Sequence, residues 1–224
     1  MTTLAITGIG GFIGLRMAER ALALGWQVQG LDHSLIAAER AHALGIQVTV
    51  GDINDEATLK AAFAGADVVF HTAAIVEEDG PREAYERVNV EGTRTVCRIA
   101  QAQGVQKLLH LSSVMVYGFD YPADVTEDGP LNGQGNIYNE TKLTSEQVAL
   151  SSIMSMSTIY SMALSSPLRR PRAVPSIRSV MELLLPAMPS LLTTRKWRAK
   201  SVCQPCRHEI SLTPPPLQHC QGAA

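Results

Sequence analysis

Thr3-Leu4-Ala5-Ile6-Thr7-Gly8-Ile9-Gly10-Gly11-Phe12-Ile13-Gly14 decides the fold of this chain. Thr3–Thr7 reads as a short apolar strand, and the segment after Gly14 as a helix running to about Leu24. Between them, Gly8, Gly11 and Gly14 recur at every third position. A turn of this kind lets backbone N–H groups approach a pyrophosphate while the start of a helix faces its negative charge. Gly14 would let the helix pack closely on the sheet. A glycine-rich turn alone often serves only chain geometry, so its surroundings decide the reading.

Those surroundings alternate strand and helix. Gly25 stops the first helix, Gln27–Leu31 is a second strand closed by Asp32, and Leu35–Leu44 is a helix stopped by Gly45. Gln47–Val50 follows as a strand, then a helix near Glu56–Phe63 and the strand Asp67–His71. A helix near Ala84–Gln103, ended by Gly104, leads to the strand Lys107–Ser112. Short apolar strands separated by helices predict an α/β fold, a Rossmann-type parallel sheet with helices on both faces. A loop containing Tyr117–Gly135 precedes a helix from about Tyr138 to Leu150.

Asp32 lies 18 residues after Gly14 at the end of the second strand. Its carboxylate can accept both hydroxyls of an adenosine ribose and would repel a 2′-phosphate, which favours NAD over NADP. His33 and Ser34 follow without a nearby basic residue to reverse that preference; the alternative for Asp32 is a solvated loop acid. Asp52, just past the third strand, can hold an adenine amino group while Ile53 covers the ring. A plain loop acid is the other reading of Asp52.

Tyr138 and Lys142 stand four residues apart and share a helix face. A phenol titrates near 10 and is a poor acid or base at neutral pH. A neighbouring ammonium favours the phenolate and moves the group toward a useful range. The lysine can also hold the nicotinamide ribose. Ser113, at the end of the fifth strand, can hydrogen-bond the carbonyl or alkoxide oxygen that exchanges its proton with Tyr138.

With these segments together, residues 1–150 resemble the N-terminal part of the extended short-chain dehydrogenases/reductases. The resembling group is the NAD-dependent epimerase/dehydratase and 3-beta-hydroxysteroid dehydrogenase-like one. Thr7-Gly8-x-x-Gly11-Phe12-Ile13-Gly14 is similar to its cofactor turn and Gly51-Asp52-Ile53 to its adenine segment. His71-Thr72-Ala73-Ala74 is similar to the loop beside the cofactor, which brings in Ala73. Asn89-Val90-Glu91-Gly92-Thr93 is similar to the helix motif whose asparagine supports the core and that loop. Ser112-Ser113-Val114-Met115-Val116-Tyr117-Gly118 is similar to the serine segment.

The resemblance implies an NAD-dependent oxidoreductase. Tyr138 would be the acid/base, Lys142 the ribose ligand that lowers the tyrosine pKa, and Ser113 the group positioning the reacting oxygen. A hydride would pass between nicotinamide and a secondary alcohol or ketone. The expected substrate is a small molecule, a nucleotide-sugar or a sterol-like alcohol or ketone. Homodimerisation through the helices Ala84–Gln103 and Tyr138–Leu150 would also resemble the family. A catalytically inactive NAD-binding protein and a redox-sensing regulator are the competing readings.

After Leu150 the composition changes. Residues 1–150 carry 10 Lys+Arg and 19 Asp+Glu, whereas residues 151–224 carry 9 Lys+Arg and only Glu182 and Glu209 as acids. Nine of the 12 prolines and three of the 4 cysteines lie in this second stretch. The expected organisation is therefore a dinucleotide-binding domain over 1–150 and an atypical basic, Pro/Ser-rich tail over 151–224. Pro167–Pro175 faintly echoes the family's arginine-proline segment, and a reading frame altered after about residue 150 would explain the change. Family-like coding sequence in another frame would support that explanation, and its absence from both would refute it.

Several function classes recede. No apolar run approaches the roughly 20 residues a membrane span needs, and MTTLAITG lacks a secretory pattern; both point to the cytoplasm. The basic tail has no aromatic interleaving, so nucleic acid is not an expected partner. Cys203-x-x-Cys206 with His208 has zinc-compatible spacing but no folded frame around it, and no metal is expected. Cys97 reads as a buried helix residue.

Overall fold

A computed structural model describes residues 1–77, 79–118, 130–133, 135–164 and 199–201. The strands β1 (Thr3–Thr7), β2 (Gln27–Asp32), β3 (Gln47–Val50), β4 (Val68–His71) and β5 (Lys107–Leu111) pair in parallel, in the order β3-β2-β1-β4-β5. A three-residue strand, β6 (Ala199–Ser201), pairs antiparallel with β5. The order reverses between β1 and β4, and a crevice beyond the carboxyl ends of strands at such a point is where open α/β sheets bind ligands.

Alternation along each strand sorts the core into two layers. Leu4 and Ile6 of β1 join Val68, Phe70 and Leu109 under Met17, Ala18 and Ala21 of α1 (Phe12–Ala23) and Ala41 of α2 (Leu35–His42). Ala5, Leu31, Val69 and Leu108 face the other way. They meet Leu59 of α3 (Glu56–Ala62), Val96 and Ile99 of α5 (Gly92–Ala102) and Ala149 of α6 (Ile137–Leu164). A sheet buried on both faces needs near-continuous apolar strands, which is why β4 reads Val-Val-Phe-His with every residue buried.

The structure departs from the sequence reading at two helices. The helix expected near Ala84–Gln103 starts at Arg82 and is not uniform: α4 (Arg82–Tyr85) passes into a wider π turn over Glu86–Glu91 before α5. Such π turns are rare and occur mostly as short insertions inside α-helices. The helix expected to end near Leu150 continues to Leu164. Residues 151–164 contain no Gly or Pro, so the amphipathic pattern lapses there without anything that breaks a helix. Among the described residues, no helix is long and apolar enough to cross a membrane. Cys203, Cys206, His208, the Pro167–Pro175 segment and most of the tail lie outside the described residues.

Candidate active site

The glycine turn sits where β1 ends and α1 begins. Gly8 adopts φ +68°, a left-handed conformation that disfavours side chains. A Cβ at Gly8 would also approach the Ala73 backbone to 3.0 Å. Gly8 N–H donates to the Leu31 carbonyl at 2.8 Å, and Gly11 N–H donates to the Gly8 carbonyl at 3.1 Å. At Gly14 a Cβ would lie 2.3 Å from the Gly8 carbonyl oxygen, so only glycine lets α1 start this close to the turn. Phe12 at the helix start is exposed, and Ile13 packs partly on the core.

Asp32 closes β2 beside this turn. One carboxylate oxygen accepts the Gly10 N–H at 3.0 Å and the other the Ser34 N–H at 3.1 Å. The acid is buried, which sets aside the solvated-loop reading. The His33 imidazole lies 3.6 Å from the carboxylate.

Asp52 and Ile53 occupy the loop after β3. Asp52 accepts hydrogen bonds from the Asn54 backbone and side chain and from the Arg87 guanidinium. These donors hold its carboxyl below the usual range despite opposition from partial burial. Ile53 is buried and would touch any Cβ placed on Gly92, so it belongs to the packed layer as well as the loop. Arg87 was not legible as a neighbour of Asp52, since 35 residues separate them.

Asn89 ties the site together. Its side-chain oxygen accepts the Ile75 N–H at 2.8 Å, and its amide donates to the Ile75 carbonyl and to Thr141 Oγ1, both at 3.1 Å. One buried side chain from the π turn thereby joins the loop after β4, which carries Ala73, to the helix carrying Tyr138 and Lys142.

That helix begins under an asparagine cap: Asn136 Oδ1 accepts the Asn139 N–H at 2.8 Å. Tyr138 is half-buried. Lys142 is 5% exposed, and its ammonium donates to the Leu111 carbonyl at 2.7 Å. Burial pushes the ammonium down to about 8, and the Glu146 carboxylate opposes that fall. Ser113, half-buried, lies two residues beyond Leu111 and caps the short 3₁₀ turn Val114–Tyr117, its Oγ accepting the Met115 N–H at 3.2 Å. This turn packs against α6. Ser113, Tyr138 and Lys142 thus stand on two segments joined by the lysine itself.

Behind the lysine lies a polar layer that sequence reasoning missed. His71 bonds Thr7 at 2.7 Å and Thr93 at 3.0 Å, and its ring stands 5.4 Å from that of His110. Ser145 bonds the His110 ring at 3.3 Å, and Ser112 donates to the Glu146 carboxylate at 2.5 Å. Burial, with the Lys142 charge adding to it, depresses His71 to about 3 and His110 well below its ordinary value. Each histidine is therefore neutral in the folded chain where the unfolded chain would protonate it. Stability held above pH ~6.5 should fall as pH drops through that value, down to about 3 for His71, by up to about 1.4 kcal/mol per pH unit for each histidine. Thermal unfolding between pH 7 and 4.5 checks this: the midpoint should drop steeply in wild type and less in His71→Asn.

Cys97 is buried on α5, as expected, and burial pushes its thiol up to about 11. Among the described residues, no cluster of His, Cys, Asp or Glu is arranged to hold a metal ion.

The sequence model of the NAD dependent epimerase/dehydratase family matches residues 4–166. The chain belongs to that family. A farnesyl-dihydroquinoline-oxide ketoreductase of Stigmatella aurantiaca is 34% identical over 147 residues, which is 65% of this chain and 44% of the relative. A 3 beta-hydroxysteroid dehydrogenase/Delta 5→4-isomerase of Mycobacterium tuberculosis (strain H37Rv) is 34% identical over 156 residues, 65% of this chain and 41% of the relative. The chain therefore spans less than half the length of these family members. Among solved structures, UDP-glucose 4-epimerase from Bifidobacterium longum, in complex with NAD+ and UDP, aligns with a TM-score of 0.62. It is 28% identical, with 69% of this chain and 50% of that one covered. A short-chain dehydrogenase/reductase superfamily protein from Agrobacterium tumefaciens with bound NAD aligns at 0.61. It is 30% identical, with 68% and 45% covered.

Proposed function

We propose that this chain binds NAD and catalyses oxidation or reduction at a secondary alcohol or ketone carbon of a small molecule. The observation that carries this reading is the buried Lys142, bonded to the β5 carbonyl two residues before Ser113 and one helical turn from Tyr138. A buried ammonium is costly, and groups held at such cost cluster at functional sites.

The residues present fit a dinucleotide. Gly8, Gly11 and Gly14 offer side-chain-free backbone at the start of α1 for a pyrophosphate. Asp32, already fixed by two backbone donors, is the ribose ligand of the reading, and its charge disfavours a 2′-phosphate. Asp52 and Ile53 would border the adenine, with Ala73 and Asn89 shaping the loop on the nicotinamide side. When bound, NAD supplies the hydride acceptor or donor. Tyr138 gives or takes the proton at the substrate oxygen, Ser113 hydrogen-bonds that oxygen, and Lys142 is the nicotinamide-ribose ligand of the reading.

The names of the relatives put nucleotide-sugars and sterol-like alcohols or ketones first among substrates. A second copy would pack against the helical stretches 84–103 and 138–150, and the cytoplasm is the expected compartment. The rival reading is a catalytically inactive NAD-binding protein or a redox-sensing regulator. Incubation with NADH and 3-ketosteroids, and separately with NAD and UDP-glucose, distinguishes them. Cofactor oxidation or 4-epimerisation is expected; bound NADH with neither product would leave the rival standing.

A further inference from the structure

Glu146 has no place in the chemistry described above, yet it is 2% exposed on the helix that carries Tyr138 and Lys142. A carboxylate is rarely buried to this degree without a partner or a purpose. It stands four residues after Lys142, so the two groups share a helix face. Its oxygen receives the Ser112 hydroxyl at 2.5 Å, while Lys142 donates to the carbonyl of Leu111 at 2.7 Å. Two consecutive residues at the end of β5 are thus gripped by two successive turns of α6. The next residue is Ser113.

We propose that Glu146 is a positioning residue: through Ser112 it fixes the strand end that carries Ser113 against α6, and it is the buried counter-charge of Lys142. The inference rests on the oxidoreductase reading for its purpose, but not for its geometry. Among the described residues, the charged or titratable groups near the lysine bear on the second part. His71 from β4 and His110 from β5 are held neutral by burial and supply no counter-charge. Tyr138 lies one turn before the lysine on α6. Glu146 is the group that opposes the fall of the lysine.

Lysine labelled with ¹³C at Cε reports its own titration in the whole chain, without cofactor or substrate. Failure here is therefore distinct from failure of the oxidoreductase reading. Glu146→Gln keeps an acceptor for Ser112 and removes the charge; the Lys142 midpoint should fall by on the order of one unit. Glu146→Asp, which restores the charge, should recover most of that fall. Ser112→Ala tests the grip while leaving the charge in place. Exchange of the Met115 amide, which Ser113 Oγ accepts, should become roughly fivefold faster there. An unchanged Lys142 midpoint in Glu146→Gln, an equal fall in Glu146→Asp, or an unchanged Met115 amide in Ser112→Ala would each overturn the proposal.

Discussion

Gly14→Ala is expected to abolish saturable NADH binding and to lower stability by about 1–3 kcal/mol. The added Cβ would stand 2.3 Å from the Gly8 carbonyl oxygen and 2.9 Å from Ile9 Cα. Both are backbone atoms, so no side-chain rotation relieves the contact. Either the first turn of α1 withdraws or the glycine turn opens, and each removes the backbone donors from a pyrophosphate. Gly10→Ala makes an instructive comparison. Its Cβ would meet the Ala37 carbonyl at 2.1 Å, which strains the packing on α2 rather than the junction of turn and α1. Stability should fall in both variants, with the larger loss of NADH affinity in Gly14→Ala. Thermal unfolding and fluorescence titration of the two side by side separate these effects.

Tyr138→Phe is expected to reduce turnover about 100- to 10,000-fold while leaving NADH affinity within about twofold. Only the phenolic oxygen is removed, and the ring remains. Lys142→Met should cost turnover to a similar degree for a different reason. It deletes the buried ammonium one helical turn from Tyr138 and breaks its 2.7 Å bond to the Leu111 carbonyl, two residues before Ser113. The two variants separate in their binding: Lys142→Met should also weaken NADH, because the lysine is a ribose ligand in this account. Steady-state rates with whichever substrate turns over, together with NADH titration of each variant, check both statements.

The sheet and the glycine turn were legible because their signals are local. Short strands rich in apolar residues, β1 to β5, alternate with helical segments, and Gly8, Gly11 and Gly14 fall at the junction of β1 and α1. Tyr138 and Lys142 were legible for the same reason, as a pair four apart on one helix. The polar layer behind them was not. Ser112 and Glu146 are 34 residues apart, and Thr7 and His71 are 64 apart, so their meeting depends on strand order rather than on any local pattern. Glu146 in particular reads as an ordinary solvated acid on a helix until β5 is placed against it. The Arg87 contact to Asp52 and the π turn that carries Asn89 were hidden likewise.

The most direct test of the central claim is a titration of the purified full chain with NADH, with NADPH in parallel. Saturable NADH binding at least tenfold tighter than NADPH is expected, with the preference reduced in Asp32→Ala. A soluble, folded chain that binds neither, or that binds NADPH as well as NADH, would contradict it.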